Sequence, residues 1–405
     1  DAFSIQILSD LFGVSYNTIE RKFKSYMGKT PQQYITDLRM KKACKYLKDT
    51  TLNIETIALA LGYQDKFYFS RAFKRYQKIT PSEYRKVNSI IPKRTTMISL
   101  QNTNKRNVVI SNYNRVTIYK TIPSRIVCLS YFAAEVCLAL GLSDRIVGIA
   151  EAESTILDCK PEFRDILEKI YKIPVNQNTI PAFDEVKRLH PDFVYGASYS
   201  FIEQSGIADA NEFEKNGMNI YVSKATYSTL STMQDVYEDI YNIGKIFDKY
   251  EQARLIVKEM QYELKIINEQ LSDMSSKKIF LYRDELAGKA LTVGMGLESY
   301  LLKIAKGVNI FEKYPLQRVT RNWDEVAKEN PDIIIAHESI IDETNSLIAK
   351  IKANEALKNV SAVKNNQIYA ISLEHTFPGL HNIDLIKNFA SYIHGNLFDK
   401  KTQPM

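Results

Sequence analysis

One stretch of this chain is written twice, and that duplication constrains the fold more than any other feature. "IERKFKSYMGKTPQQYI" begins at Ile19 and "YFSRAFKRYQKITPSEYR" begins at Tyr68. At an offset of 50, Ile7 meets Ile57, Leu11 meets Leu61, Arg21 meets Arg71 and Phe23 meets Phe73. Lys24, Tyr26, Thr30, Pro31 and Tyr34 meet Lys74, Tyr76, Thr80, Pro81 and Tyr84. Identities held in one register mark a duplicated structural unit, and two copies are too few for a solenoid.

Each copy reads as two helices around a short turn. In the second, Asn53 caps "IETIALALG", whose residues Ile54, Ile57, Ala58 and Leu61 share a face, and Gly62 ends it. Asp65 then caps a helix from Lys66 to about Gln77, with Phe69, Ala72, Phe73 and Tyr76 as its apolar stripe. Thr80-Pro81-x-Glu83 opens another helix as a capping box. The first copy offers "IQILSDLF", a "GVS" turn and a helix from Tyr16 to about Met27. Between the copies, Pro31 to about Lys48 reads as one helix packing through Ile35, Leu38, Ala43 and Leu47. Such a rod spans ~27 Å, close to the ~34 Å between successive major grooves on one DNA face.

Charge supports nucleic acid as the partner of this region. Residues 1–94 hold 18 Lys and Arg against 8 Asp and Glu, whereas the remainder holds 36 against 39. A basic helix-turn-helix region joined to a near-neutral one reads as a double-stranded DNA binder with a second module. The first recognition helix offers Tyr16, Asn17, Glu20 and Arg21 to base edges and Lys24 to phosphate. The second offers Lys66, Phe67, Tyr68 and Arg71, with Lys74 on the backbone side.

This region, essentially residues 3–86, resembles the AraC/XylS-type DNA-binding domain, most specifically in "IALALGYQDKFYFSRAFKRYQKITPSEYR". The resemblance implies a transcription regulator that also meets RNA polymerase. Lys78 stands where that family has glycine, as Gly28 does in the first copy, so a wider turn is expected there. The helix that opens such domains is absent or cut short before Phe3, and the start at Asp1 implies a piece of a longer chain with an upstream domain.

At 405 residues the chain exceeds one hydrophobic core. After a linker at 89–106, a second domain is expected over 107–402. "RIVCLSYFAAEVCLALGLSDRIVGIA" reads as a strand, a helix ending at Gly141 and a second strand, a βαβ unit that implies a parallel sheet. "AFDEVKRLHPDFVYGAS" and "NWDEVAKENPDIIIAHES" each run a helix through a Pro-Asp step into a strand, at Phe193–Tyr195 and Ile333–Ala336. Between them, 231–272 holds Gly244 and no proline, which predicts one or two long connecting helices. The expected layout is a lobe at 107–230, the connector, and a lobe at 277–400.

In that order these segments, with "NVSAVKNNQIYAIS" and "PGLHNIDLIKNFASYI", resemble the periplasmic binding proteins that capture ferric siderophores, cobalamin or haem. The fold class expected is therefore multidomain: an all-α double helix-turn-helix domain, then a bilobal α/β binding-protein-like domain with a long connecting helix. A ligand of such folds sits in the cleft at the carboxyl ends of strands. The loops there offer Tyr131, Phe132, Ser198, Tyr199, Lys224, Tyr227, Tyr282, Arg283, Arg318, Arg321, Trp323, His337, His375 and Phe377. Arg283 and Arg318 fall nearest the basic cleft positions of the siderophore-binding group. The resemblance implies a ferric siderophore as effector, with cobalamin or haem as other readings.

Other chemistry is not signalled. Cys44, Cys128, Cys137 and Cys159 form no CxxC pair, and His375 and His381 stand six apart, unsuited to one helical face. Neither a resident metal nor a cofactor is expected. "GMGLES" at 294–299 is no phosphate loop, and no nucleophile elbow or triad appears, so catalysis is not expected. Signal peptide and membrane span are also lacking, which points to a cytoplasmic sensor that regulates genes, most simply an activator of siderophore uptake. A cytoplasmic solute-binding protein merely tethered to DNA is the alternative.

Overall fold

The computed structural model describes residues 16–49, 65–88, 106–150, 153–176, 180–203, 206–228, 230–338 and 344–395, with single positions 54, 57, 58, 61 and 63. The helix expected in "IQILSDLF", the Asn53 cap, the Gly62 stop and most of the linker lie outside these residues. The chain divides into two compact units, Asp1–Thr103 and Asn104–Met405.

The helices whose bounds fall among the described residues of the first unit are Tyr16–Met27, Pro31–Asp49, Lys66–Gln77 and Pro81–Asn88. Their starts repeat like the sequence. The Thr80 amide donates to Glu83 and the Glu83 amide donates to the Thr80 hydroxyl, at 2.8 and 3.2 Å. Thr30 and Gln33 exchange the same pair of bonds at 2.9 and 3.3 Å. The core holds Met40, Ala43, Leu47, Ile57, Ala58, Leu61, Tyr63, Phe69 and Phe73. Leu38, expected on the packing face, is half exposed instead. Met40, Ala43 and Leu47 lie at i, i+3 and i+7, and this stripe leaves position 38 outside. Tyr76 likewise is exposed.

The wider turn expected at Lys78 does not form. Lys78 takes a left-handed φ of 67°, beside 69° for Gly28. Its amide donates to the Lys74 carbonyl at 2.8 Å, as Gly28 does to Lys24 at 2.9 Å. The fixed relation of helix to helix dictates the turn, and the lysine accepts it.

The second unit opens with a hairpin of β1 (Val108–Asn112) and β2 (Arg115–Tyr119). Tyr113 and Asn114 both take positive φ, the two-residue turn that suits twisted strands. Next come β3 (Ile126–Cys128), β4 (Ile146–Ile149), β5 (Phe193–Gly196) and β6 (Asn219–Val222). They pair in parallel in the order β4-β3-β5-β6. The other lobe holds β7 (Lys277–Leu286), β8 (Lys289–Val293), β9 (Gly307–Asn309), β10 (Arg318–Arg321), β11 (Ile333–Glu338) and β12 (Ile368–Ser372). Its order is β10-β8-β7-β11-β12 with β9 on β7, and β8 and β10 run antiparallel to their neighbours.

The repeated Pro-Asp steps have a structural role. The Asp192 carboxylate accepts from the Ser124 and Arg125 amides and so ties the start of β5 to β3. Asp332 accepts from the Lys278 amide and ties β11 to β7. The connector is two helices, Met233–Ile246 and Tyr250–Gln270, broken at Asp248 with φ 58°. One hydrophobic core cluster runs through both lobes, from Ile126 and Phe193 past Ile243 and Val257 to Leu301 and Phe389, with a further cluster in each lobe.

Candidate functional site

Two surfaces collect the residues that carry chemistry. On the first recognition helix Asn17, Arg21 and Lys24 are exposed and Glu20 is half-buried; the Tyr16 side chain lies outside the described residues. On the second, Arg71 and Lys74 are exposed, with Phe67 70% and Tyr68 59% accessible. Lys66 stands over the Phe67 ring at 5.5 Å. Asp65 accepts from the Phe67 and Tyr68 amides, each at 2.7 Å, and so fixes the first turn of that helix.

The second site is a cavity of about 350 Å³ between the lobes of the binding-protein unit. Ser198 and Tyr199 follow β5 on one side, while Arg283, Glu298 and Arg318 line the other with Phe377. Beneath it Glu298 is buried with two partners. Its Oε2 accepts from the Arg283 guanidinium at 2.8 Å, and its Oε1 lies 2.5 Å from His337 Nε2. The other ring nitrogen of His337 donates to the Tyr282 carbonyl at 2.8 Å. Burial alone would raise the Glu298 pKa, but His337 and Arg283 outweigh it and hold the carboxyl at about 2. Arg318 is pulled below the usual arginine range by burial and then by the Arg283 charge. The wall is therefore cationic: one carboxylate stands among two guanidiniums.

Contacts between lobes flank the cavity. Gln317 Nε2 donates across to the Ala225 and Ser228 carbonyls at 3.1 and 3.3 Å. Phe377 stacks on Phe132 with centroids 5.6 Å apart. His375 donates through Nε2 to the Asp158 carbonyl at 2.9 Å and stacks on His381. Burial and the neighbouring His381 lower the His375 pKa.

Of the expected ligand residues, Ser198, Tyr199, Arg283, Arg318 and Phe377 line the cavity. The others stand outside it, for identifiable reasons. Tyr131 is buried on a helix, not a loop. Lys224 is held by Asp235 and Glu238 at 3.1 and 2.6 Å. Tyr227 accepts from the Tyr113 amide and packs on that ring. Arg321 lies over the Tyr314 ring at 3.8 Å. Trp323, expected on a cleft loop, instead begins the helix Trp323–Glu329 and packs on Phe280 and Tyr282. His337 and Tyr282 lie behind Arg283 and Glu298, and His375 is spent on the lobe contact. Glu298 and Gln317 were not expected. Nothing local in "GMGLES" announces a buried acid whose ring partner lies 39 positions away.

Among the described residues no helix is long and apolar enough to cross a membrane, and no group of His, Cys, Asp or Glu is placed to hold a metal ion.

A parallel-stranded lobe and a mixed-sheet lobe around a cationic cavity, in one chain with a basic helix-turn-helix unit, define a solute-binding fold joined to a DNA-binding module. Residues 126–373 match the model of a periplasmic binding protein family and residues 8–87 that of a helix-turn-helix domain. The chain belongs to the periplasmic binding protein family and carries an AraC-type helix-turn-helix, DNA-binding domain at its amino-terminal side. Neither is an enzyme family.

A periplasmic binding protein from Veillonella parvula is 25% identical, with a TM-score of 0.64 over 72% of this chain and 99% of its own. An ABC-type Fe3+-hydroxamate transport system from Saccharomonospora viridis shares the fold at 18% identity, with a TM-score of 0.62 over 70% of this chain and 98% of its own. The transcriptional activator RhaS of Mannheimia succiniciproducens is 42% identical over 78 residues, 19% of this chain and 29% of that protein. The chain thus spans under a third of the length of that curated relative, within the helix-turn-helix unit alone.

Proposed function

We propose that this chain is a cytoplasmic transcription regulator that activates iron-uptake genes when a ferric siderophore occupies the cavity between its lobes. One observation carries the reading: Arg283 and Arg318 line the same cavity as Tyr199 and Phe377. Guanidiniums and aromatic rings suit a ligand with negative charge and flat donor groups, such as a ferric chelate. The likeness in fold to a protein described as an Fe3+-hydroxamate transport system supports the same class. The helix-turn-helix unit supplies operator binding, and activation requires contact with RNA polymerase. Ligand regulates only if it binds the DNA-competent arrangement more tightly than the other.

Calorimetric titration of the chain with ferric hydroxamates and catecholates, their iron-free forms, cobalamin and haem tests the reading. Saturable binding of a ferric chelate, weakened in Arg318→Ala, together with a change in operator affinity, is the expected result. A flat response to every ferric chelate removes it. Binding without any change in operator affinity or polymerase recruitment would make the chain a solute-binding protein that the helix-turn-helix tethers to DNA.

A further inference from the structure

The two recognition helices are equivalent in sequence register but not in chemistry. Arg21 corresponds to Arg71 and Lys24 to Lys74, yet Asn17 corresponds to Phe67. Positions 67, 71 and 74 fall within one face of the helix Lys66–Gln77, as 17, 21 and 24 do on Tyr16–Met27. The opposite face is spent on the core, where Phe69 and Phe73 are fully buried.

Phe67 is the outlier on the outward face. A phenyl ring 70% exposed on a folded helix loses hydrophobic free energy unless something covers it. Its neighbour Tyr68 leans on Tyr63 with centroids 5.9 Å apart, so that ring is committed sideways. The Lys66 ammonium stands 5.5 Å from the centroid of the Phe67 ring, which stays mostly accessible. The Asp65 cap fixes this residue in the first helical turn, the part of a recognition helix that meets base edges.

Apolar side chains in the major groove read one base feature, the 5-methyl group of thymine, whereas asparagine reads adenine by paired hydrogen bonds. We propose that Phe67 contacts a thymine methyl, so that the operator is asymmetric. One half is read through hydrogen bonds from Asn17 and Arg21, the other through a methyl contact from Phe67 beside Arg71. The assignment rests on the DNA-binding reading and fixes the direction in which the chain lies on its site.

The test begins by selecting duplexes from a random-sequence pool on the full chain. Each thymine of the recovered consensus is then replaced by deoxyuridine, which lacks the methyl group alone. Affinity is expected to fall about fourfold at one thymine in one half of the site, the effect of exposing one buried methyl. Phe67→Ala should lose a similar factor on the unmodified duplex and become indifferent to that replacement. Asn17→Ala should weaken binding while leaving the methyl effect intact. A consensus in which no replacement matters, or in which Phe67→Ala keeps the full methyl effect, overturns the assignment while DNA binding stands. If no sequence-specific duplex is recovered, the DNA-binding reading fails and takes this assignment with it. Circular dichroism confirms that each variant is folded.

Discussion

Glu298 and His337 meet at 2.5 Å beneath the cavity although 39 positions separate them in the chain. With Arg283 on the other carboxylate oxygen, the acid is fully engaged inside the wall. Among the described residues Arg318 makes no ion pair with a carboxylate, and it lines the cavity. The pair cements β7, β11 and the helix Leu297–Ile304 together, while Arg318 gives the cavity wall its excess positive charge.

Removing the acid should expose that dependence. Glu298→Gln leaves the Arg283 guanidinium buried without its counter-charge, at a cost of about 3 kcal/mol. The folded carboxyl sits at about 2, below its ordinary value, so its contribution is complete above the ordinary carboxylate range. That contribution is lost as pH falls through 2. Urea unfolding of wild type and variant should show a gap at pH 6 that narrows as pH falls below about 4. A gap that does not change with pH would mean that the carboxylate charge is not what stabilises the wall.

Asp239 should show the opposite sign. It accepts from Tyr221, the Ser223 hydroxyl and the Lys224 amide, and burial pushes its carboxyl up to about 7, against those bonds. The folded state binds the proton that the unfolded state releases near pH 4, so this group favours unfolding increasingly as pH rises from about 4 to 7. The loss is on the order of 4 kcal/mol. In Asp239→Asn, stability measured across that window should be flatter than in wild type. Parallel curves for the two proteins would refute this account.

How far the sequence discloses these features depends on range. The capping box at Thr80, the Asp65 cap and the Pro-Asp strand starts are local, and each forms where its spacing predicts. Arg283 and Arg318 also reach the cavity, the first from within β7 and the second from the start of β10. Trp323 and Lys224 misled for a common reason: loop position exposes a side chain only if no neighbour claims it. Here Tyr282 claims the indole, and Asp235 and Glu238 claim the ammonium. Such claims are made across folded distance and leave no local pattern.

Lys78 offers a stabilising change. It holds φ 67° at a helix end, a conformation that costs an L-residue about 1 kcal/mol and glycine little. Lys78→Gly should raise the melting temperature of the helix-turn-helix unit, with a gain below about 1 kcal/mol because glycine also loosens the unfolded chain. A lower melting temperature would show that the side chain, whose Nζ donates to the Arg75 carbonyl at 3.2 Å, matters more than the backbone.

Gly244 governs how closely the two connector helices cross. A Cβ built there would lie 2.6 Å from the Ala253 methyl and 3.1 Å from the Lys249 carbonyl oxygen. The nearest neighbour is a methyl with no torsion to swing away, so the helices Met233–Ile246 and Tyr250–Gln270 must separate. Gly244→Ala should cost about 2 kcal/mol, overpacking outweighing the better helix propensity of alanine. Adding Ala253→Gly removes the obstructing methyl, and the double variant should recover much of the loss. A double-mutant cycle should then give a coupling above about 1 kcal/mol. The first helix is bound to β6 through Asp239 and Tyr221, and the second leads into β7, so their crossing sets how the cavity walls face each other. Gly244→Ala should therefore weaken chelate binding as well, and Ala253→Gly should restore it. Additive costs with unchanged affinity would mean that the connector adjusts elsewhere and does not set the cleft.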